Sequence, residues 1–291
     1  MPPIAPKAHP LREAAEVGCN GLVAGSARNL YTRLAFEAED STKADGPFYC
    51  ALCQSDAILH KCTAKIDHFA HIARLSPVLG PLETALHRAC KEEICLSLSE
   101  RNPTGKWAVE RRIPANLNYD IPELRPDISG RILEQRVAIE VQASALTPTK
   151  IVKRSRAYAK RGIALLWVVP LHKPIGLEPV RPRLFERYLH SIYYGRAYYW
   201  WPGCSHTVLP VHFGPASRHV EYREWTEDGQ LMEGGGYDTD YKIIKTPIPS
   251  SPISIDQDFE FHLRGEFVPE NERKAVPPCA IWRDTHSPWW Q

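Results

Sequence analysis

The stretch RPDISGRILEQRVAIEVQAS, from Arg125 to Ser144, alternates with a period of two in its second half. Val137, Ile139 and Val141 fall on one side of a strand, and Ala138, Glu140 and Gln142 fall on the other. A half-buried strand is therefore expected, hiding the first row and presenting Glu140 and Gln142 together. Upstream, Leu124 to Ile132 reads as a second strand, with Asp127 directly after Pro126. The residues Leu133-Glu134-Gln135-Arg136 make a polar turn between them, so the expectation is a hairpin across which Asp127 approaches Glu140. Two carboxylates held together repel, and burying them unpaired costs several kcal/mol. A hard divalent cation, Mg²⁺ or Mn²⁺, relieves that repulsion through oxygen ligands. Two acids on solvated strands, with no metal between them, account for the hairpin equally well.

Downstream, Thr147-Pro148 is an N-cap followed by proline in the first helical turn. Thr149 to Arg161 then reads as a basic helix ended by Gly162. Ile163 to Val169 is an unbroken apolar run, far short of the about 20 residues a membrane span needs, and fits a strand buried on both faces. Hairpin, crossover helix and parallel strand make an α/β core. Upstream of the hairpin, Gly80-Pro81 opens a helix running to about Leu98, with an apolar stripe of Leu82, Leu86, Ala89, Cys90 and Ile94. Glu83, His87 and Lys91 recur at every fourth position and share a different face. Viewed alone, that face is a solvated ladder.

The opening residues, MPPIAPKAHP, suit a loose arm, Leu22 to Glu39 reads as strand-like pieces joined by a turn, and Asp40 to Pro47 is a loop. Cys50-x-x-Cys53 followed by His68-x-x-His71 has zinc-ligand spacing, with Cys62 as a substitute ligand. A small module with little core of its own would be folded by that metal. Chance cysteines and satisfied histidines are the plainer account. The expected divisions are 1–47, an N-terminal arm with strand-like segment; 48–78, a zinc-ribbon-like module; 79–170, the α/β core; and 171–291, an extension of unassigned role.

At 291 residues and a net charge of +2, the chain holds a large core and needs a local basic patch to attract nucleic acid. Eleven Lys and Arg against Glu178 and Glu186 between residues 150 and 200 make such a patch. Tyr158, Tyr188, Tyr193, Tyr194, Tyr198, Tyr199, Trp200 and Trp201 are interleaved with it. Phosphate attraction with base stacking, or a solvated helix over an aromatic core, explains this mixture. Leu184 to Tyr194 reads as a helix capped by Gly195. Arg196 to Trp201 and Thr207 to Phe213 read as a hairpin. The tail from Glu221 carries fourteen acids against seven bases; it packs on the core or covers a groove by mimicking DNA charge. Eight cysteines in a chain of this length do not read as a disulfide framework. With no secretory or membrane-spanning segment near the N-terminus, the cytoplasm is the expected compartment.

Pro126-Asp127, twelve residues, then Glu140-x-Gln142 resembles the PD-(D/E)xK nuclease signature, with Glu83 as an additional helical acid. More narrowly, the helix with Glu83, His87 and Lys91, then RPD, then IE-x-Q-x-S, then the LLWV strand is similar to the competence protein CoiA-like family. The similarity covers Phe48 to Val169, includes the Cys50, Cys53, His68 and His71 pattern, and echoes again from Phe185 to Trp200. It implies a restriction-endonuclease-like α/β core with a mixed sheet flanked by helices, preceded by a zinc-ribbon-like module with structural Zn²⁺. It implies Mg²⁺-dependent (or Mn²⁺-dependent) DNA cleavage in transformation, recombination or defence, with recombination or defence proteins as further partners. Asp127 and Glu140 would hold the ion with the Val141 carbonyl. Glu83 would reach a second ion or its water, and His87 and Lys91 would bond the substrate or the acids. Arg125, Arg154, Arg156 and Tyr158 would contact DNA. The departure is Gln142, where most of the superfamily has Lys: an ammonium stabilises developing negative charge, and an amide only orients. The alternative is a DNA-binding protein that keeps the nuclease fold without turnover; a zinc- and aromatic-based interaction protein is a third reading.

Overall fold

The computed structural model describes residues 25–49, 56–63, 66–71, 85–116, 121–143, 146–220, 222–227, 229–268 and 275–291. The chain divides into two units, Met1–Arg74 with Pro215–Ile244, and Leu75–Gly214 with Lys245–Gln291.

In the first unit, strands β1 (Ser26–Asn29), β2 (Ala35–Glu37), β3 (Phe48–Tyr49), β4 (Asp56–His60) and β5 (His68–His71) form one antiparallel sheet in the order β2-β1-β3-β4-β5. The strand-turn-strand reading of the segment before Glu39 is met by the β1–β2 pair. Alternation along β1 and β4 sends every second residue inward, so Ala27, Ala57 and Leu59 join Phe48 and Phe69 in a small core. Phe48 and Phe69 meet edge to face at 4.8 Å. The expected boundary between residues 47 and 48 runs through this sheet, because β3 is only two residues long and gains its partners from β1 and β4. A second hairpin in this unit, β12 (Arg223–Glu227) with β13 (Gln230–Gly234), lies in the acidic tail.

The second unit includes helix α1 (Ala85–Arg101), which buries Leu86, Cys90 and Ile94 of the expected stripe and Leu98 one turn on, with Ala89 partly buried and Leu82 outside the described residues. Strand β6 (Ala108–Val109) then leads to the hairpin β7 (Ile128–Ile132) and β8 (Gln135–Val141). Ile132 pairs with Gln135, so the turn narrows to Leu133-Glu134. Helix α2 (Pro148–Ala159) crosses over to β9 (Ala164–Pro170), which runs parallel to β8. Gly162, at φ +60°, supplies the left-handed step between them. β9 is buried at every position.

One expectation fails on β8. The strand is not half-buried: Val137 through Val141 are all buried, because β7 and β9 flank it and helices cover the sheet.

The core also does not stop at residue 170. Helix α3 (Leu184–Ile192) leads to β10 (Ala197–Trp200), which pairs parallel to the end of β9 and antiparallel to β11 (Thr207–Val220). Near the C-terminus, β16 (Phe259–Arg264) pairs with β17 (Cys279–Asp284), and Ile281 of β17 pairs with Leu165 of β9. The long strand β14 (Tyr237–Pro249) neighbours β11 in the same sheet, and β15 (Ile253–Ser254) pairs with β11. Among the described residues the mixed α/β sheet expected from the sequence thus has ten strands, and residues after 170 contribute to it.

Six of the eight interleaved aromatics are core, while Tyr194 is exposed and Trp201 is partly buried. Tyr158, Tyr188, Tyr193, Tyr198, Tyr199 and Trp200 are buried, and hydroxyls point to fixed partners such as Leu165 O, Asp284 and Glu186. Base stacking on them is closed off, since their faces are packed against other side chains. No helix among the described residues is long and apolar enough to cross a membrane.

Candidate functional site: two carboxylates under a helix

The β7–β8 register pairs Ile128 with Ile139. Continued by one residue, it sets Asp127 directly opposite Glu140, within side-chain reach across the pair. Asp127 Oδ2 accepts the Val141 backbone N–H at 2.8 Å, locking the acid onto the strand that carries its partner. The backbone carbonyl of Asp127 accepts Glu110 N–H at 2.9 Å, which fixes the other side.

Helix α1 lies over this hairpin. His87 Nε2 is 2.9 Å from the Val141 carbonyl oxygen, to which it donates, and 3.7 Å from Asp127 Oδ2. Lys91, one turn later, is 4 % exposed. Its ammonium donates to Glu110 Oε1 at 2.7 Å and stands 3.9 Å from Asp127 Oδ1. Arg125 holds the other oxygen of Glu110 at 2.5 Å. The His87 and Lys91 face is therefore turned onto the acids and is not a solvated ladder. Glu110 was not singled out by sequence: a lone acid after the two-residue strand β6 carries no spacing signal, and only the fold shows its partner.

Glu140 is 2 % exposed. Tyr158 donates to Oε1 at 2.5 Å, and Arg154 pairs with Oε2. The Arg154 guanidinium also lies 6.0 Å over the ring of Trp167, the residue paired with Glu140 across β8 and β9. Burial pushes the Glu140 carboxyl up to about 7; Arg154 opposes the rise, and the charge of Asp127 adds to it. Asp127 goes the other way. Burial works against its charge, but the His87 contact, the Val141 N–H and the positive charge of Lys91 outweigh it and hold it below the usual carboxylate range. His87 is raised: burial disfavours its cation, and the bond and charge of Asp127 more than offset that. The pattern is two close acids pushed apart in acidity, one ionised and one titrating near neutrality.

The remaining expected residues divide as follows. Gln142 is buried beside the pair, its backbone N–H donating to Val168 O at 2.8 Å. Arg156 is exposed on α2. Tyr158 is 1 % exposed and bonded to Glu140, so it is a support for the acid and not a surface contact to DNA. Glu83, Cys50 and Cys53 lie outside the described residues. His68 and His71 are the first and last residues of β5. His68 Nδ1 is 2.9 Å from Ile66 O and 3.9 Å from the sulfur of Cys62, and the His60 and His68 rings stack at 5.2 Å. Among the described residues no group of three or more His, Cys, Asp or Glu side chains is arranged to hold a metal.

Residues 34–76 match the model of the competence protein CoiA N-terminal domain, and residues 83–179 match that of the competence protein CoiA nuclease-like domain. The competence protein CoiA of Bacillus subtilis (strain 168) is 26% identical over 125 residues, which cover 42% of this chain and 31% of that protein. The chain thus matches about a third of the length of this curated relative. No solved structure matches. Two domain models and the relative agree: over residues 34–76 and 83–179 the chain is similar to the competence protein CoiA-like family.

Proposed function

We propose that the chain is a metal-dependent deoxyribonuclease acting at Asp127 and Glu140, as the nuclease-like domain model suggests, in a role related to competence, as the relative's name suggests. The observation that carries this reading is the opposition of Asp127, at the entry to β7, and the buried Glu140 of β8, with the Val141 carbonyl beside them. The donors are hard oxygens, and Glu140 is held near 7 by burial and by its neighbour, so a hard cation suits the pair. Asp127, Glu140 and the Val141 carbonyl would hold Mg²⁺ or Mn²⁺, with Glu83 as a helical acid. The ion would supply Lewis-acid activation of the scissile phosphate and of water.

The protein's own groups supply the rest. Tyr158 orients Glu140 through a hydrogen bond, and Val141 N–H orients Asp127. Lys91 provides the ammonium that Gln142 does not, held at the acids by Glu110. Its charge would stabilise negative charge developing on the phosphate. Arg154, whose side chain is 48 % exposed, pairs with the buried Glu140 from the solvent side and is suited to a phosphate oxygen. The buried amide of Gln142 favours the second reading, a DNA-binding protein without turnover.

Structural zinc on Cys50, Cys53, His68 and His71 belongs to this proposal. A Nδ1–H bond from His68 to the Ile66 carbonyl leaves Nε2 with the lone pair, the tautomer a metal ligand needs. Elemental analysis of chelator-free protein should return about one zinc per chain; none would remove this part.

The test is incubation of purified protein with linear, circular and single-stranded DNA in Mg²⁺, Mn²⁺ or EDTA. Cutting should need the metal and disappear in Asp127→Ala and Glu140→Ala. Lys91→Met should lower the rate by about 10²-fold or more, the effect of losing one charge-stabilising donor. Cutting that survives both acid substitutions refutes the site; intact binding with no cutting under any metal supports the second reading.

A further inference from the structure

Helix α2 has a second flank, away from Glu140. Beside it lies an arm of residues 113–116 and 121–124, closed by antiparallel bridges between Ile113 and Leu124 and between Asn116 and Ile121. Arg161, just past α2, ties the arm down: its guanidinium donates to the carbonyl of Pro114 and, at 3.1 Å, to that of Pro122. Arg136 in turn donates to the Arg161 carbonyl. Two cavities of about 500 and 520 Å³ lie along this seam and share Ile121 and Lys160, so they form one trough.

Its lining is of two kinds. The floor is apolar, made by Ile121 and Pro122 of the arm and Val152 and Ala157 of the helix. The rim is cationic, with Lys153, Arg156 and Lys160 on the helix side and Arg136 and Arg161 at the far end. No carboxylate among the described residues lines either cavity. The arm runs directly into Arg125-Pro126-Asp127, so Ile121 is six residues from Asp127, at most about 20 Å of extended chain.

We propose that this trough binds single-stranded DNA as it passes to or from the acids; the proposal rests on the nuclease reading and names its substrate class. Positive charge alone would suit any polyanion. The apolar floor decides between strands. A duplex keeps its bases stacked inside and presents phosphate and sugar, for which Ile121 and Val152 have no use. A single strand exposes base faces that pack on an apolar surface while its phosphates meet the rim. Each cavity is of the size that encloses a small-molecule-sized group, so the trough takes a few nucleotides in file.

The test is fluorescence anisotropy of the full chain with a labelled oligothymidylate and with a blunt duplex of equal length, both in EDTA. The single strand should bind at least about tenfold more tightly than the duplex. Lys153→Glu with Arg156→Glu should weaken single-strand binding about tenfold or more and flatten its salt dependence by about 1.4 in slope, two single-strand phosphate contacts. Ile121→Ser, which leaves charge unchanged, should weaken the single strand and spare the duplex. Lys173→Glu with Arg181→Glu, outside the trough, serves as the control with equal charge change. Equal binding of both DNAs, an equal loss in the control, or no loss in the trough variants would each overturn the proposal. Asp127→Ala should keep single-strand binding, so a failed nuclease reading leaves this result standing.

Discussion

Glu140 shows how much one residue's surroundings do to its chemistry. As one of 34 acids in the sequence it has nothing to distinguish its acidity, and the alternation places it only on a polar face. Enclosed between β7 and β9, it titrates near 7, because burial disfavours the carboxylate and Asp127 repels it. A folded pKa above the unfolded value means that stability is fully present below about 4.5 and is lost as pH rises through 7. The shift corresponds to about 3 kcal/mol at most. Thermal melts in EDTA should therefore show the wild type losing several degrees between pH 5 and 8, and Glu140→Gln losing much less. Asp127, with its pKa lowered, has its own window in acid and does not contribute there. Equal slopes for the two proteins would show that Glu140 is ionised throughout. Asp127 and Glu140 were legible as a pair from their spacing. Glu110, which holds Lys91, was not, since its role is made by residues 19 and 15 positions away.

At the scale of elements, β7 is shaped by a residue that hydrophobic patterning passes over. A methyl group built on Gly130 would lie 2.3 Å from the Trp107 ring, so the indole packs directly on the strand backbone there. Gly130→Ala should force the ring or the strand to move at a cost of about 2 kcal/mol, read as a lower urea midpoint with unchanged slope. A neutral result would mean that Trp107 has another place to go. Helix α2 presents two flanks, Arg154 and Tyr158 toward Glu140, Lys153 and Arg156 toward the trough. The helix itself was readable from Thr147-Pro148 and Gly162. Which flank met which neighbour was not, because every basic residue on it looks alike until the arm and the strand are in place.

At the scale of the molecule, the sheet continues past the segment that resembles a nuclease. β9 is bordered on one edge by β8 and on the other by β10 near its end and β17 near its start. A fragment ending at Pro179 would lose both of the latter and expose the edge that holds Leu165 and Val168. Such a fragment should lack near-UV circular dichroism and resist limited proteolysis poorly, while the full chain resists it well; a native-like fragment would show that residues 180–291 are dispensable. From the sequence alone come the hairpin, the crossover helix, the buried parallel strand and the nearness of Asp127 to Glu140. Each rests on neighbours in the chain and on a period of two or of 3.6. Tertiary structure alone decided that β8 is covered on both faces, that His87 and Lys91 turn inward, that Tyr158, Tyr188, Tyr193, Tyr198 and Tyr199 are core, and that the C-terminal strands complete the sheet. Those outcomes depend on contacts between residues far apart in the chain, where burial and charge act through space and leave no local pattern.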